Sequence, residues 1–132
     1  ARNPAAIARV YALKQRPASN PLIVHVAAPD WVDDWAIAIP DTARRLMAAC
    51  WPGPLTLVLA ARADVPAIVT AGQDSVAIRQ PDHPLCLELL NRFGRAVVAP
   101  SANRYMSISP TTPGHVVRQF PEIGRHDHCR PG

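Results

Sequence analysis

No GxxxxGK[ST] phosphate loop, no GxGxxG, no HExxH and no GxSxG occurs in this sequence. Chemistry on a nucleotide would therefore have to proceed without a Walker loop, a dinucleotide fingerprint or a nucleophile elbow. No apolar run approaches the ~20 residues that span a bilayer. The opening stretch Ala1 to Arg9 is polar and reads as a helix start, not a secretory signal. A soluble cytoplasmic domain with no membrane contact is the expectation. The three cysteines, Cys50, Cys86 and Cys129, form no CxxC pair. The first two fall in apolar helical patterns, which predicts buried thiols in a reducing compartment. Charged residues make up only 18% of the chain and apolar ones 48%, a balance that argues against disorder. At 132 residues the chain is the size of one ordinary domain with its own core.

What is plentiful is proline. Fifteen prolines punctuate the apolar runs instead of gathering in a linker, as expected of short elements joined by stiff, shaped loops. Asn3-Pro4 is a helix start, with Ile7, Val10, Tyr11 and Lys14 at helical spacing and Pro17 as the stop. Leu22 to Val26 reads as a buried strand. A second helix is predicted from about Asp41 as N-cap, carrying Leu46, Met47 and Cys50 inward. Strands are predicted over Leu55 to Ala61, Ser75 to Arg79 and Ala96 to Ala99. A helix from Pro84 to Phe93 would put Leu85, Cys86, Leu89, Leu90 and Phe93 on one side and stop at Gly94. A polar loop from Pro100 to Pro113 leads to a last short helix around Val116 and Phe120. The mixture predicts an α/β fold with a single sheet, no repeat and no internal boundary. The tail Gly124 to Gly132 has no apolar period and reads as irregular.

The net charge of +4 suits an anionic partner such as nucleotide or RNA, although a basic surface also occurs without one. Lys14-Gln-Arg16, leaving a helix for a rigid loop, can hold phosphates or a carboxylate, or can simply complement the helix dipole. Pro100-Ser101-Ala-Asn103 follows a strand, where open α/β sheets gather ligands, and equally suits an Asx turn. Ser107, Ser109, Thr111 and Thr112 add hydroxyls in the same loop, or cap the last helix. His25 stands alone in an apolar strand, the usual setting of a hydrogen-bonded core histidine. Arg79 closes a strand, either reaching a ligand or leaving the core for water. Thr56 carries little by itself. His126, His128 and Cys129 do not make a specific metal site, and none is expected.

In order, Lys14-Gln-Arg16-Pro-Ala-Ser-Asn-Pro-Leu-Ile-Val-His25, Trp51-Pro-Gly-Pro-Leu-Thr56, Ser75-Val-Ala-Ile-Arg79, Pro100-Ser101-Ala-Asn103 and Ser109-Pro-Thr111 resemble the successive blocks of the YrdC-type threonylcarbamoyl-AMP synthase family. The likeness runs from about Asn3 to Val117. It implies a single twisted, open, mixed α/β sheet with flanking helices, YrdC/RibB-like, around a basic central cavity. It implies formation of threonylcarbamoyl-AMP and pyrophosphate from L-threonine, bicarbonate and ATP with Mg2+, for threonylcarbamoyladenosine in tRNA. Lys14 and Arg16 would be catalytic. With Ser101, Asn103 and Ser109 they would bind the nucleotide, and His25, Thr56 and Arg79 would bind substrate. Implied partners are tRNA or double-stranded RNA and downstream threonylcarbamoyl-transferase proteins.

The sequence departs from that pattern in three places. It begins after the strand and PTET-like segment with which the family opens, so residues 1–123 are expected to be a YrdC-like domain lacking that segment. Tyr105-Met106 stands where the family carries Ser-Gly, and residues 124–132 replace its Asp-Gly-Gly turn. Other readings stand beside the synthase, among them a purely structural fragment and two with a function. One is a non-catalytic RNA-binding module, and the other is a carbamoyl-adenylate-forming domain of a carbamoyltransferase.

Overall fold

The computed structural model of the chain describes residues 1–121. The tail Gly124 to Gly132, with His126, His128 and Cys129, lies outside the described residues. Helix α1 (Pro4–Lys14) starts as expected: the Asn3 side chain accepts from the Ala6 amide at 3.2 Å, and Pro4 opens the first turn. Ile7, Tyr11 and Lys14 form its buried stripe. It stops before Pro17, because Gln15 turns left-handed (φ 52°) and its N–H is taken by Ala12 O.

Strand β1 is shorter than the apolar run, Ile23–His25, because the Leu22 amide is claimed by Val69 O at 3.0 Å. Val69 belongs to α3 (Ala67–Thr70), a single turn the sequence reading did not anticipate, as was the 3₁₀ segment Pro29–Asp34. Strand β2 is Leu57–Ala60; Leu55 stays out of the ladder, its carbonyl accepting from Trp51 Nε1 at 2.8 Å. Strand β3 is Ser75–Arg79, as predicted, and β4 is the two residues Val97–Val98. The strand order is β2-β3-β1-β4, with β1 parallel to β3 and the other pairings antiparallel, which is the single open mixed sheet expected.

Alternation gives the sheet two unlike faces. Val24, Leu57, Leu59, Val76 and Ile78 join Ile7, Tyr11, Val32, Trp35, Met47 and Val69 in one core. The other face, with Ile23, His25, Val58, Ala77 and Arg79, is partly open, and Val58 is 66% exposed. Helix α2 (Asp41–Cys50) is capped by Pro40 and not by Asp41, and buries only Ala43 and Met47. Leu46 and Cys50 are exposed, contrary to expectation, because a stripe one turn long is all this helix sets against the core. Helix α4 (Pro84–Phe93) ends at Gly94 (φ 68°) as predicted, but only Leu90 of its apolar side is buried. Leu85, Leu89 and Phe93 are exposed and so is Cys86, since no described element lies over that side. The expectation of buried thiols is thus overturned for both described cysteines. Helix α5 (Pro113–Gln119) is capped by the Thr112 hydroxyl, and Phe120 after it is buried.

Candidate nucleotide and substrate site

Strand register brings two of the sequence candidates, His25 and Arg79, into one row. His25 pairs with Arg79 across the parallel ladder and with Val97 across the antiparallel one. Half-buried Thr56 immediately precedes β2, outside the paired residues. Paired residues share a face, so the row lies on the open side of the sheet. Arg79 Nη2 donates to His25 Nε2 at 3.1 Å, while His25 Nδ1 lies 3.2 Å from Ile23 O. One tautomer satisfies both contacts: Nδ1 carries the proton and Nε2 the lone pair. Burial holds the His25 pKa below the usual imidazole value, and the Arg79 guanidinium pushes it further down.

A depressed histidine pKa binds fewer protons folded than unfolded, so its stabilising effect is complete above the unfolded value of about 6.5 and is lost as pH falls below it. Urea midpoints measured from pH 7.5 to 5 are expected to fall more steeply for the wild type than for His25→Gln. Equal slopes would mean His25 does not contribute.

The Lys14 and Ser101/Asn103 motifs meet through a second set of contacts. Lys14 is 4% exposed, and its ammonium donates to the carbonyls of both Ser101 and Asn103. Its own carbonyl accepts from Tyr105 N at 2.9 Å. One residue at the end of α1 therefore holds alternate residues of the loop after β4. Burial lowers the Lys14 pKa, and nearby Arg16 lowers it further. The Asn103 amide donates to Arg104 O and Ser107 O at 2.8 and 2.9 Å, leaving Oδ1 buried without a partner. Met106 makes the tight turn of this loop with φ 64°, where the resembled pattern carries glycine, and its side chain points to water.

A cavity of about 640 Å³ opens between the sheet, α4 and this loop. Arg16, His25, Arg79 and Ser101 line its polar side, and Leu89 and Leu90 its apolar side. Arg16 Nη2 donates to Pro21 O at 3.0 Å, and the Nε atoms of both Arg16 and Arg79 are buried with no partner. Two guanidinium side chains lining one cavity fit a ligand with anionic oxygens. Lys14 and Asn103 hold the loop and do not line the cavity; Thr56 and exposed Ser109 lie outside its lining as well. A second cavity of about 760 Å³ is bounded by Arg2, Trp35, Arg62 and Asp64. Arg2 and Arg62 there are engaged with Asp64, and Arg2 also with the Trp35 ring, while Arg95 lines the same cavity.

One residue that sequence reasoning passed over is Gln119. Its Oε1 accepts from Arg104 N at 2.9 Å, its Nε2 donates to Ile108 O at 3.1 Å, and its carbonyl accepts from Arg104 Nε at 2.9 Å. The loop is thus gripped by Lys14 from one end and by Gln119 from the other. No local pattern signals this, since a glutamine ending a short helix is unremarkable in sequence.

Comparison with known proteins shows the family. The Sua5/YciO/YrdC family model, described as telomere recombination, matches residues 1–125. The chain is 44% identical over 115 residues to a threonylcarbamoyl-AMP synthase of Pyrococcus abyssi, covering 87% of this chain and 34% of that protein. It is 45% identical over 121 residues to the threonylcarbamoyl-AMP synthase of Bacillus subtilis, covering 91% and 35%. The chain thus spans about a third of the length of these relatives. A crystal structure of P. abyssi Sua5 complexed with L-threonine superposes with a TM-score of 0.89 at 42% identity, over 91% of this chain and 35% of that one. With the motifs, the mixed open sheet and this match over nearly all its length, the chain belongs to the Sua5/YciO/YrdC family.

Proposed function

We propose that this chain carries the nucleotide and amino-acid site of a threonylcarbamoyl-AMP synthase. The observation that supports it best is that the guanidinium side chains of Arg16 and Arg79 line one cavity together with His25 and Ser101. The relatives named as such synthases, at 44 and 45% identity, supply the reaction class. In that reaction the threonine amine takes up bicarbonate with loss of water. An oxygen of the resulting carbamate attacks the α-phosphorus of ATP as the bond to the departing pyrophosphate breaks.

Carbamate, carboxylate and triphosphate repel one another, so the site must supply cations and orientation more than a nucleophile. Arg16, with Lys14, Ser101, Asn103 and Ser109, would serve the nucleotide. His25, Thr56 and Arg79 would serve the threonine side. Two of the three Lys14 ammonium protons face loop carbonyls, so its share is to shape the loop and add positive potential, with one donor left over. Among the described residues, no Asp or Glu lines the cavity. Mg2+ would accordingly be held by triphosphate oxygens and water, with the Ser101 hydroxyl as a neutral oxygen in reach of that shell. A cytoplasmic place, tRNA as final acceptor and a separate transferase follow from the same reading.

Calorimetric titration with Mg-ATP tests it. The folded chain is expected to bind, and Arg16→Ala to bind at least tenfold more weakly, about 1.4 kcal/mol. Threonine-dependent release of pyrophosphate would then establish the reaction. A folded chain that ignores ATP, or binding indifferent to Arg16, would overturn the proposal.

A further inference from the structure

We propose that Gln119, the last residue of α5, is a positioning residue for the nucleotide: its side-chain amide clamps both ends of the segment 104–108 and so sets the spacing of Asn103 and Ser109 on either side of it. The inference rests on the proposed reading of Asn103 and Ser109 as nucleotide residues, and it adds a residue that none of the sequence motifs contains.

The segment has little else to hold its shape. Tyr105, Met106 and Ile108 are exposed, so burial of its apolar side chains does not fix it. Met106 sits at φ 64°, a left-handed conformation that a residue with a Cβ rarely adopts without support. Within the segment, Ser107 N donates to Arg104 O at 3.0 Å. From the N-terminal side come the Asn103 amide, on Arg104 O and Ser107 O, and the Lys14 carbonyl, on Tyr105 N. None of these contacts reaches Ile108.

Gln119 supplies that end. Its Oε1 accepts from Arg104 N at 2.9 Å, and its Nε2 donates to Ile108 O at 3.1 Å. An amide offers an acceptor and a donor side by side without a charge. The first and last residues of the segment are thus tied to one planar group, and Asn103 and Ser109 are the residues next outside them. Gln119 is itself anchored. Its carbonyl accepts from Arg104 Nε at 2.9 Å, the Arg104 guanidinium lies 5.6 Å from the centre of the Phe120 ring, and Phe120 is buried. Ser101, which lines the cavity, lies two residues before Asn103, and the Lys14 ammonium serves the carbonyls of both. A loop released at Ile108 would have to be ordered again by each ligand molecule, which then binds more weakly.

Calorimetric titration with Mg-ATP tests the inference, with a thermal melt of each variant to establish that it is folded. Gln119→Ala removes both side-chain bonds and is expected to bind about tenfold more weakly than the wild type. Gln119→Glu separates the two bonds. Its carboxylate still accepts from Arg104 N but cannot donate to Ile108 O, so at pH 7.5 it should also bind about tenfold more weakly. A protonated carboxyl can donate, and the ordinary glutamate pKa is about 4.3. Lowering the pH to 5 should therefore narrow the gap between Gln119→Glu and the wild type to about fourfold, while the gap for Gln119→Ala stays as it was. Wild-type affinity in folded Gln119→Ala would confine Gln119 to stability and overturn the inference. So would a Gln119→Glu gap that is the same at both pH values. Should Gln119→Ala fail to fold, the Gln119→Glu comparison decides alone. If the folded wild type does not bind Mg-ATP, the nucleotide reading falls and takes this inference with it.

Discussion

Lys14→Met is expected to weaken Mg-ATP binding by well over tenfold while lowering the stability of the fold only modestly. Methionine retains most of the buried stem, so the packing under α1 survives. What goes is the ammonium that serves the carbonyls of Ser101 and Asn103. Hydrogen bonds to a charged group contribute about 1.5–3 kcal/mol each. That loss is offset in two ways. Ser101 is exposed, so its carbonyl can turn to water, and the substitution also removes a charge that burial already destabilises, as the lowered Lys14 pKa indicates. A net loss of about 1–2 kcal/mol of stability is the expectation on these opposing terms. The loop has no such compensation. Without the ammonium, the loop keeps Tyr105 N on Lys14 O, the Asn103 amide on Arg104 O and Ser107 O, and the Gln119 grip farther along, contacts that do not include Ser101. Each ligand molecule would then have to order the segment that carries Ser101. Titration and urea unfolding on the same preparation check both halves. Full ATP affinity in a Lys14→Met chain would show that the loop needs no staple. A collapse of the fold would show that Lys14 is chiefly structural.

The second large effect belongs to the sheet. Ile78 is fully buried and stands between Val24 of β1 and Leu57 of β2. Ile78→Ala should cost about 2–5 kcal/mol, combining lost transfer energy with a cavity that the flanking strands cannot close. Against a domain stability of about 5–15 kcal/mol this is a large fraction, and a fall in Tm of roughly 10 °C or more is expected. Val58→Ala makes the internal control. It lies on β2 one register step away, at 66% exposure on the opposite face, and should change stability by no more than about 0.5 kcal/mol. Chemical and thermal unfolding of the two variants decide the matter. Similar losses at both positions would mean that the faces of the sheet are not as unlike as the burial pattern makes them.

Most of the elements were legible because their causes are local. Asn3-Pro4, Gly94 and the short run Ser75 to Arg79 before Pro81 act within a turn or a few residues, and the structure places α1, α4 and β3 where those signals do. Misjudged boundaries have non-local causes. β1 loses Leu22 to Val69, and β2 loses Leu55 to the indole of Trp51. Helical periodicity identified the apolar sides of α2 and α4, but periodicity says only which side is apolar. Whether another element covers it is a matter of packing. Hence Leu46, Cys50, Cys86 and Leu89 were expected inside and are found outside.

The sequence by itself determined the class of fold, the order of its elements and the residue types able to handle anions, because helix caps, strand alternation and ordered motifs are properties of neighbouring residues. It could not say that His25 and Arg79 stand side by side, since that depends on β3 lying next to β1. Nor could it say that Lys14 would spend its charge on carbonyls 87 and 89 residues away. Strand order and the partner of a buried ammonium are settled by which surfaces can be covered and which polar groups satisfied together, and only the assembled tertiary structure decides that.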